Sequence, residues 1–267
     1  MRLINDSGIS QPLGREHFKD DSVRIPTPLP SLSTALGGGI KQGGITIIAG
    51  RPGTGKSALA EQFTQFYALC GRQVIFWGVE MGKDEHFLRM EARHGARVIN
   101  LPVTFVDIPS TGYVGLYRNM MGANDALREE FFKGAIFVID FIQCVKGFGD
   151  SDRETLKIAM EMTSELCVEL DMAGLVLSQM NRNIEYEHAG KARKVPKMSD
   201  LEGGGALEQF TDAALLLTRP SVASGIPCTT DFERTQMWIP KSRGAGVGMV
   251  EVDFHGATQT FHERETR

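Results

Sequence analysis

No run in this sequence is apolar for long enough to cross a bilayer, and its first residues lack the basic-then-apolar pattern of a secretory leader. Cysteine is scarce. Cys70, Cys144, Cys167 and Cys228 stand far apart and form no CxxC pair, which excludes a disulfide framework and leaves reduced thiols in the cytoplasm of the host cell. An excess of positive charge is missing too. The 29 Lys and Arg are outnumbered by 33 Asp and Glu, for a net charge of −4, so the protein is no polycation that coats nucleic acid. Any such contact must come from local basic loops. Internal repeats and low-complexity tracts are absent as well.

Glycine is abundant. The 30 glycines gather in a few places, a sign of phosphate loops and tight turns. With 42% hydrophobic and 23% charged residues, 267 residues suffice for one large domain and fall short of two. Residues 1–30 are polar and broken by Pro12, Pro26, Pro28 and Pro30, and read as an arm or linker ahead of a domain over 31–267. Within that domain, Ile45–Ala49, Val74–Val79, Val103–Val106, Ile136–Ile139 and Leu175–Ser178 are short, β-rich and apolar almost throughout. Strands buried on both faces look like this, as they do in a parallel sheet covered by helices. Ser57–Cys70, Lys83–His94, Asn124–Phe132 and Asp152–Leu170 are the helical candidates between them. Ala213–Thr218, Gln236–Pro240 and Met249–Phe254 suggest late strands, some antiparallel. The class is α/β, with ligands expected at the carboxyl ends of strands.

Gly50-Arg-Pro-Gly-Thr-Gly-Lys56-Ser57 matches the phosphate-loop pattern GxxxxGK[ST] between a β-rich run and a helical one. Gly53 and Gly55 free the backbone so that the N–H groups from Gly50 through Arg51, Pro52 (which has none) and Thr54 can turn inward on an anion, at the positive end of the next helix. Lys56 would reach the β- and γ-phosphates of ATP, and the Ser57 hydroxyl would ligate Mg²⁺. Asp140 closes an apolar strand and can hold the same metal. Glu80 closes another and is the candidate to orient or deprotonate an attacking water. A solvated strand-end carboxylate is the plainer reading of Glu80, and a solvated helix face explains Asp84, Glu85 and Glu91.

Six ordered blocks now resemble the DnaB-type hexameric helicases, a branch of the RecA-like P-loop ATPases. They are residues 50–57, Val79-Glu80-Met81, Val138-Ile-Asp-Phe-Ile-Gln143, Leu177-Ser-Gln-Met-Asn-Arg182, Ser199-Asp-Leu201 leading to Gly205-Ala-Leu-Glu-Gln209, and Lys241-Ser-Arg243 before Gly248. The resemblance implies a RecA-like fold with a mostly parallel twisted sheet. It also implies an ATP-dependent motor moving on single-stranded DNA during replication, a homo-oligomeric ring, most often hexameric, and contacts with replication proteins. It assigns Glu80 as catalytic base, Asp140 as the magnesium carboxylate, Gln179 as the γ-phosphate sensor, and Lys241 with Arg243 as cations reaching the neighbouring subunit's site. A solvated hairpin tip is the alternative for that last pair.

DNA would be held by the polar segment from Asn183 to Gly205, through Arg182, Lys191, Arg193, Lys194 and Lys197 and the backbone of Gly203, Gly204 and Gly205. A solvated basic loop is the alternative for the individual lysines. Two departures from the family stand out. Glu202 replaces a cation expected beside DNA, and the helical collar that precedes the motor in the family has no counterpart in these residues. A strand-exchanging recombinase and a non-motor ATPase switch within a replication complex are the competing readings.

Overall fold

A computed structural model describes residues 2–4, 10–12, 23–94, 100–122, 131–181, 195–225 and 227–264. Near the start, β1 (Arg2–Ile4) pairs antiparallel with β2 (Ser10–Pro12), and β3 (Arg24–Ile25) with β4 (Ile40–Lys41). A short helix, α1 (Pro30–Ala35), opens with proline, whose fixed φ and missing N–H suit a first turn. Ile25, Leu29 and Leu32 already lie in the hydrophobic core, so the last residues of segment 1–30 are part of the folded body.

The apolar runs form the strands expected of them. β5 (Ile45–Gly50), β6 (Val74–Gly78), β7 (Val103–Phe105), β8 (Ile136–Asp140), β9 (Ala173–Gln179) and β10 (Ala213–Thr218) pair parallel in the order β10-β5-β9-β8-β6-β7. Beyond β10, the strands β11 (Phe232–Ser242), β12 (Gly248–His255) and β13 (Thr260–Glu263) continue the same nine-stranded sheet antiparallel. Sequence reading caught only Gln236–Pro240 of β11, and β13 not at all. Pro240 sits where the β10–β11 register shifts between Ala214 and Leu216. A bulge tolerates the missing N–H that would otherwise end a strand.

Helices cover both faces. Alternate β5 residues point to opposite sides: Ile48 packs with Leu59, Phe63 and Tyr67 of α2 (Lys56–Leu69), whereas Ile45, Ile47 and Ala49 share a second core with α4 (Tyr113–Met121) and α5 (Asp152–Glu169). Each such fully buried side chain stabilises the fold by about 1.5–3 kcal/mol relative to exposure. α3 (Lys83–His94) follows β6, and α5 is capped by Ser151, whose side chain accepts from the Glu154 N–H at 3.2 Å. The helix expected over 124–132 lies mostly outside the described residues, and α4 was not foreseen. Two short helices complete the fold, α6 (Gly204–Phe210) and α7 (Pro220–Ser224).

Candidate active site

The turn from β5 into α2 is built around its glycines. Gly53 (φ 81°) and Gly55 (φ 95°) occupy the left-handed region, which L side chains resist. At Gly50 a Cβ would lie 2.4 Å from Thr54 Oγ1 and 3.0 Å from the Leu217 carbonyl oxygen. Thr54 closes the loop on itself, donating from its N–H and its hydroxyl to the Arg51 carbonyl at 3.2 and 2.8 Å. Lys56 Nζ donates to the same carbonyl at 3.3 Å. Burial holds its pKa below the ordinary lysine value, against the pull of Asp140 and Glu80. An amine kept beside two carboxylates and an open cradle is placed to exchange that carbonyl for a phosphate.

Asp140 and Glu80 meet the loop from neighbouring strands. β6 and β8 pair through Gly78 and Asp140, and the chain beyond β6 returns Val79 N–H and Glu80 N–H to the Asp140 carbonyl at 2.7 and 3.3 Å. Glu80 is exposed, while Asp140 is only 2% exposed. Burial pushes the Asp140 carboxyl above its usual range, and a hydrogen bond from Ser57 and the charges of His86 and Lys56 draw it back. Its Oδ2 is buried with no hydrogen-bond partner. A buried carboxylate oxygen left open beside a serine hydroxyl suits a divalent cation, so these residues fit a magnesium ion.

Lys56, Ser57, Glu80 and Asp140 open into one cavity of about 470 Å³ together with Arg89, Gln179, Arg219 and Phe254. Sequence reading missed Arg89, Arg219 and Phe254. Arg219, just past β10, donates from Nη1 to the Gly53 carbonyl at 3.1 Å, and its guanidinium lies 4.0 Å from the centre of the Phe254 ring. Its Nε and Nη2 hold Glu233 at 3.0 and 2.7 Å. Arg89 on α3 pairs with Glu85 at 2.6 Å. Neither arginine lies in a motif, and only folding brings them to the loop.

Gln179, at the end of β9, borders this cavity and a second one of about 470 Å³ shared with Arg51, Asn181 and Glu202. Its carbonyl accepts from the Glu202 N–H at 3.0 Å. Gln143 fastens the junction, with Nε2 donating to Ser178 Oγ at 2.7 Å and to the Glu202 carbonyl at 3.1 Å. The nucleotide side and the candidate DNA segment are therefore in backbone contact. Lys197 is exposed, and its N–H donates to Asp200 Oδ2 at 2.8 Å. Arg182, Lys191, Arg193 and Lys194 lie outside the described residues. The glycine run corrects the loop expectation: Gly203 (φ 81°) caps α6, and Gly204 and Gly205 are its first turn. The N-cap needs a left-handed residue, and at Gly203 a Cβ would come within 2.1 Å of Leu156 Cδ2.

The DnaB-like helicase C-terminal domain family matches residues 25–104 and 115–263. The chain belongs to that family. Among curated relatives, the replicative DNA helicase DnaC of Bacillus subtilis is 27% identical over 93% of this chain and 58% of its own length. DnaB of Geobacillus stearothermophilus is 26% identical over 94% and 59%. The chain thus spans less than two thirds of each of these relatives. Of solved structures, a free-standing ATPase domain superposes with a TM-score of 0.78 at 22% identity, covering 94% of both chains. A DnaB-like replicative helicase, studied with its primase interactions, gives 0.77 at 22%, covering 94% of this chain and 66% of that one. These likenesses agree with the RecA-like fold of a mostly parallel sheet between helices.

In this DnaB-like domain Lys241 and Arg243 lie far from the phosphate loop. Ser242 pairs with Ala213, and Ala213 with Thr46, at the amino ends of the parallel strands, whereas the loop follows Gly50 at their carboxyl ends. Arg243 approaches Asp212 at 3.5 Å, and Lys241 donates to the Glu208 carbonyl. Burial and the Arg243 charge hold Lys241 below the ordinary lysine value. Within one chain these two cations do not meet its nucleotide cavity. Among the described residues, no helix is long and apolar enough to cross a membrane.

Proposed function

We propose that this chain is the ATP-hydrolysing motor of a ring-forming DNA helicase, working on single-stranded DNA in replication. One observation carries the reading: Lys56, Ser57, Glu80 and the buried, half-satisfied Asp140 converge on a single open cavity at the strand ends. The backbone N–H groups of residues 50–57 and Lys56 would hold the phosphates of ATP, and Ser57 with Asp140 would hold Mg²⁺. The metal, when bound, neutralises charge on the phosphates. Glu80, exposed at the mouth and tethered to Asp140 through the backbone, orients the attacking water and takes its proton. Arg89 and Arg219 supply cations from the same chain, and Gln179 links the phosphate end of the cavity to the 198–205 segment through Glu202. Lys241 and Arg243 act on the next subunit's nucleotide, so turnover requires assembly into a ring, for which six subunits is the family's usual number. Residues 31–267 form the motor and residues 1–30 its arm, in a protein of the host cytoplasm.

ATP turnover with and without single-stranded DNA tests this. Stimulation by DNA is expected, and Glu80→Ala should lower the rate by about 10²–10⁴-fold while nucleotide affinity holds. Turnover indifferent to DNA would instead favour a non-motor switch, the reading that Glu202 beside the second cavity supports.

A further inference from the structure

Behind the nucleotide cavity, α2 and α3 bury three ionisable side chains against one another. Glu61 comes from α2, the helix that begins with Lys56 and Ser57, and His86 and Arg93 come from α3. His86 Nδ1 lies 2.9 Å from Glu61 Oε1, and Arg93 Nη2 lies 2.7 Å from Glu61 Oε2. The Glu61 and His86 side chains are 0% exposed and that of Arg93 is 2% exposed. A carboxylate only accepts, so Nδ1 carries the proton and donates it to Glu61. One turn further along α2, the buried Gln65 donates from Nε2 to the Met90 carbonyl at 2.8 Å, a second tie between the same helices.

Stability does not account for this cluster. Removing such charges from water is costly, and apolar side chains of similar volume usually serve a core as well or better. The cluster also leaves valences unused: Glu61 Oε2, His86 Nε2 and both terminal nitrogens of Arg93 have no hydrogen bond of good geometry, despite the short Arg93–Glu61 approach. Its surroundings point elsewhere. The imidazole abuts Gly78, where a Cβ would lie 2.6 Å from Nε2, and packs 4.5 Å from the Phe76 ring centre. Gly78 ends the strand that leads to Glu80, and it pairs with Asp140. Glu61 Oε1 stands 4.0 Å from Arg89, whose side chain lines the cavity. Arg93 Nε donates at 3.0 Å to the Thr258 carbonyl, in the turn whose Gly256 and Gln259 line the cavity on another side. A single buried carboxylate thus joins three walls: the helix bearing Lys56 and Ser57, the helix after Glu80, and the β12–β13 turn.

We propose that Glu61, His86 and Arg93 are positioning residues that hold the Glu80 segment and the β12–β13 turn in register around the nucleotide. The proposal rests on the hydrolysis reading above for its rate consequence, though not for its structural one. The test uses the full chain with Glu61→Leu, His86→Leu and Arg93→Met together, which removes the network and keeps its volume. This variant should fold with an unchanged or higher melting temperature. With Mg²⁺ and the non-hydrolysable analogue AMP-PNP, amide exchange should quicken by about tenfold in residues 79–88 and 255–260, with β5 and β9 unchanged. ATP turnover should show kcat down about 10- to 100-fold, the range that a small misplacement of reacting groups produces, with KM within about twofold. His86→Asn, which keeps a donor near Nδ1, should recover most of the kcat that His86→Ala loses.

Unchanged exchange in both segments overturns the proposal, as does faster exchange with kcat intact. Should the triple variant not fold, the comparison of His86→Asn with His86→Ala decides in its place, and equal kcat in those two overturns it. If the unsubstituted chain turns over no ATP, the hydrolysis reading falls by itself, and the exchange measurement alone decides the network.

Discussion

Gly55 shows how closely single residues shape this site. Its φ of 95° lies where an L side chain is strained, and a Cβ there would come within 2.9 Å of Phe261 Cζ and 3.3 Å of Phe254 Cε2. Gly55→Ala should therefore cost about 1–3 kcal/mol in urea unfolding and weaken binding of a fluorescent ATP analogue together with it. A wild-type unfolding midpoint would show that the loop relaxes without cost. Such positions were readable in advance because the phosphate loop is contiguous: eight neighbouring residues carry the whole cradle. Asp140 and Glu80 were readable for a related reason, since each ends an apolar run that had to be a buried strand. Arg89, Arg219 and Phe254 were not, because a lone arginine or phenylalanine in a helix, loop or strand looks like any other until tertiary packing delivers it. Glu61 and His86 were hidden further still, in helix positions where the pattern leads one to expect apolar side chains.

At the scale of elements, α7 is moored to β11 by Glu233. This carboxylate is 5% exposed and accepts from the Ser221 N–H at 2.6 Å, the Ser221 hydroxyl at 2.7 Å, and the Arg219 fork. Burial alone would raise its pKa, but the hydrogen bonds from Ser221 and Arg219 win and hold it below the ordinary value of 4.5. A lowered folded pKa gives stability that is complete above the unfolded value and disappears as pH falls through the folded one. Melting temperatures should accordingly drop as pH falls below 4.5. Glu233→Gln should melt lower at neutral pH, show a shallower acid decline, and bind nucleotide less well because Arg219 loses its anchor. An acid decline as steep as that of the wild type would assign it to other carboxylates. Strand positions in the parallel half were legible from apolarity alone. In β11 the burial alternates along much of the strand, so only its middle looked like a strand in sequence, and the Pro240 bulge disguised its end.

For the whole molecule, the decisive fact is that the phosphate loop and the Lys241–Arg243 pair sit at opposite ends of the strands. If the pair serves a neighbour's nucleotide, two inactive chains should repair one another. Glu80→Ala and Arg243→Ala, each depressed alone, should regain a measurable fraction of ATP turnover when mixed, because a site with an intact Glu80 can then receive an intact Arg243 from the adjoining subunit. A cation supplied in this way is worth about 10³–10⁵-fold in rate, so even rare productive pairs should register. Mixtures no faster than the mean of their parts would place Arg243 outside the reaction.

The same separation governs the symmetry of any working assembly. A chain that gives from one edge and receives at another joins its copies head to tail, and a two-fold pair burying identical patches cannot satisfy that arrangement. Every open row of such chains has one end whose nucleotide meets no donor. Only a closed circle leaves none idle, whatever the number of its members.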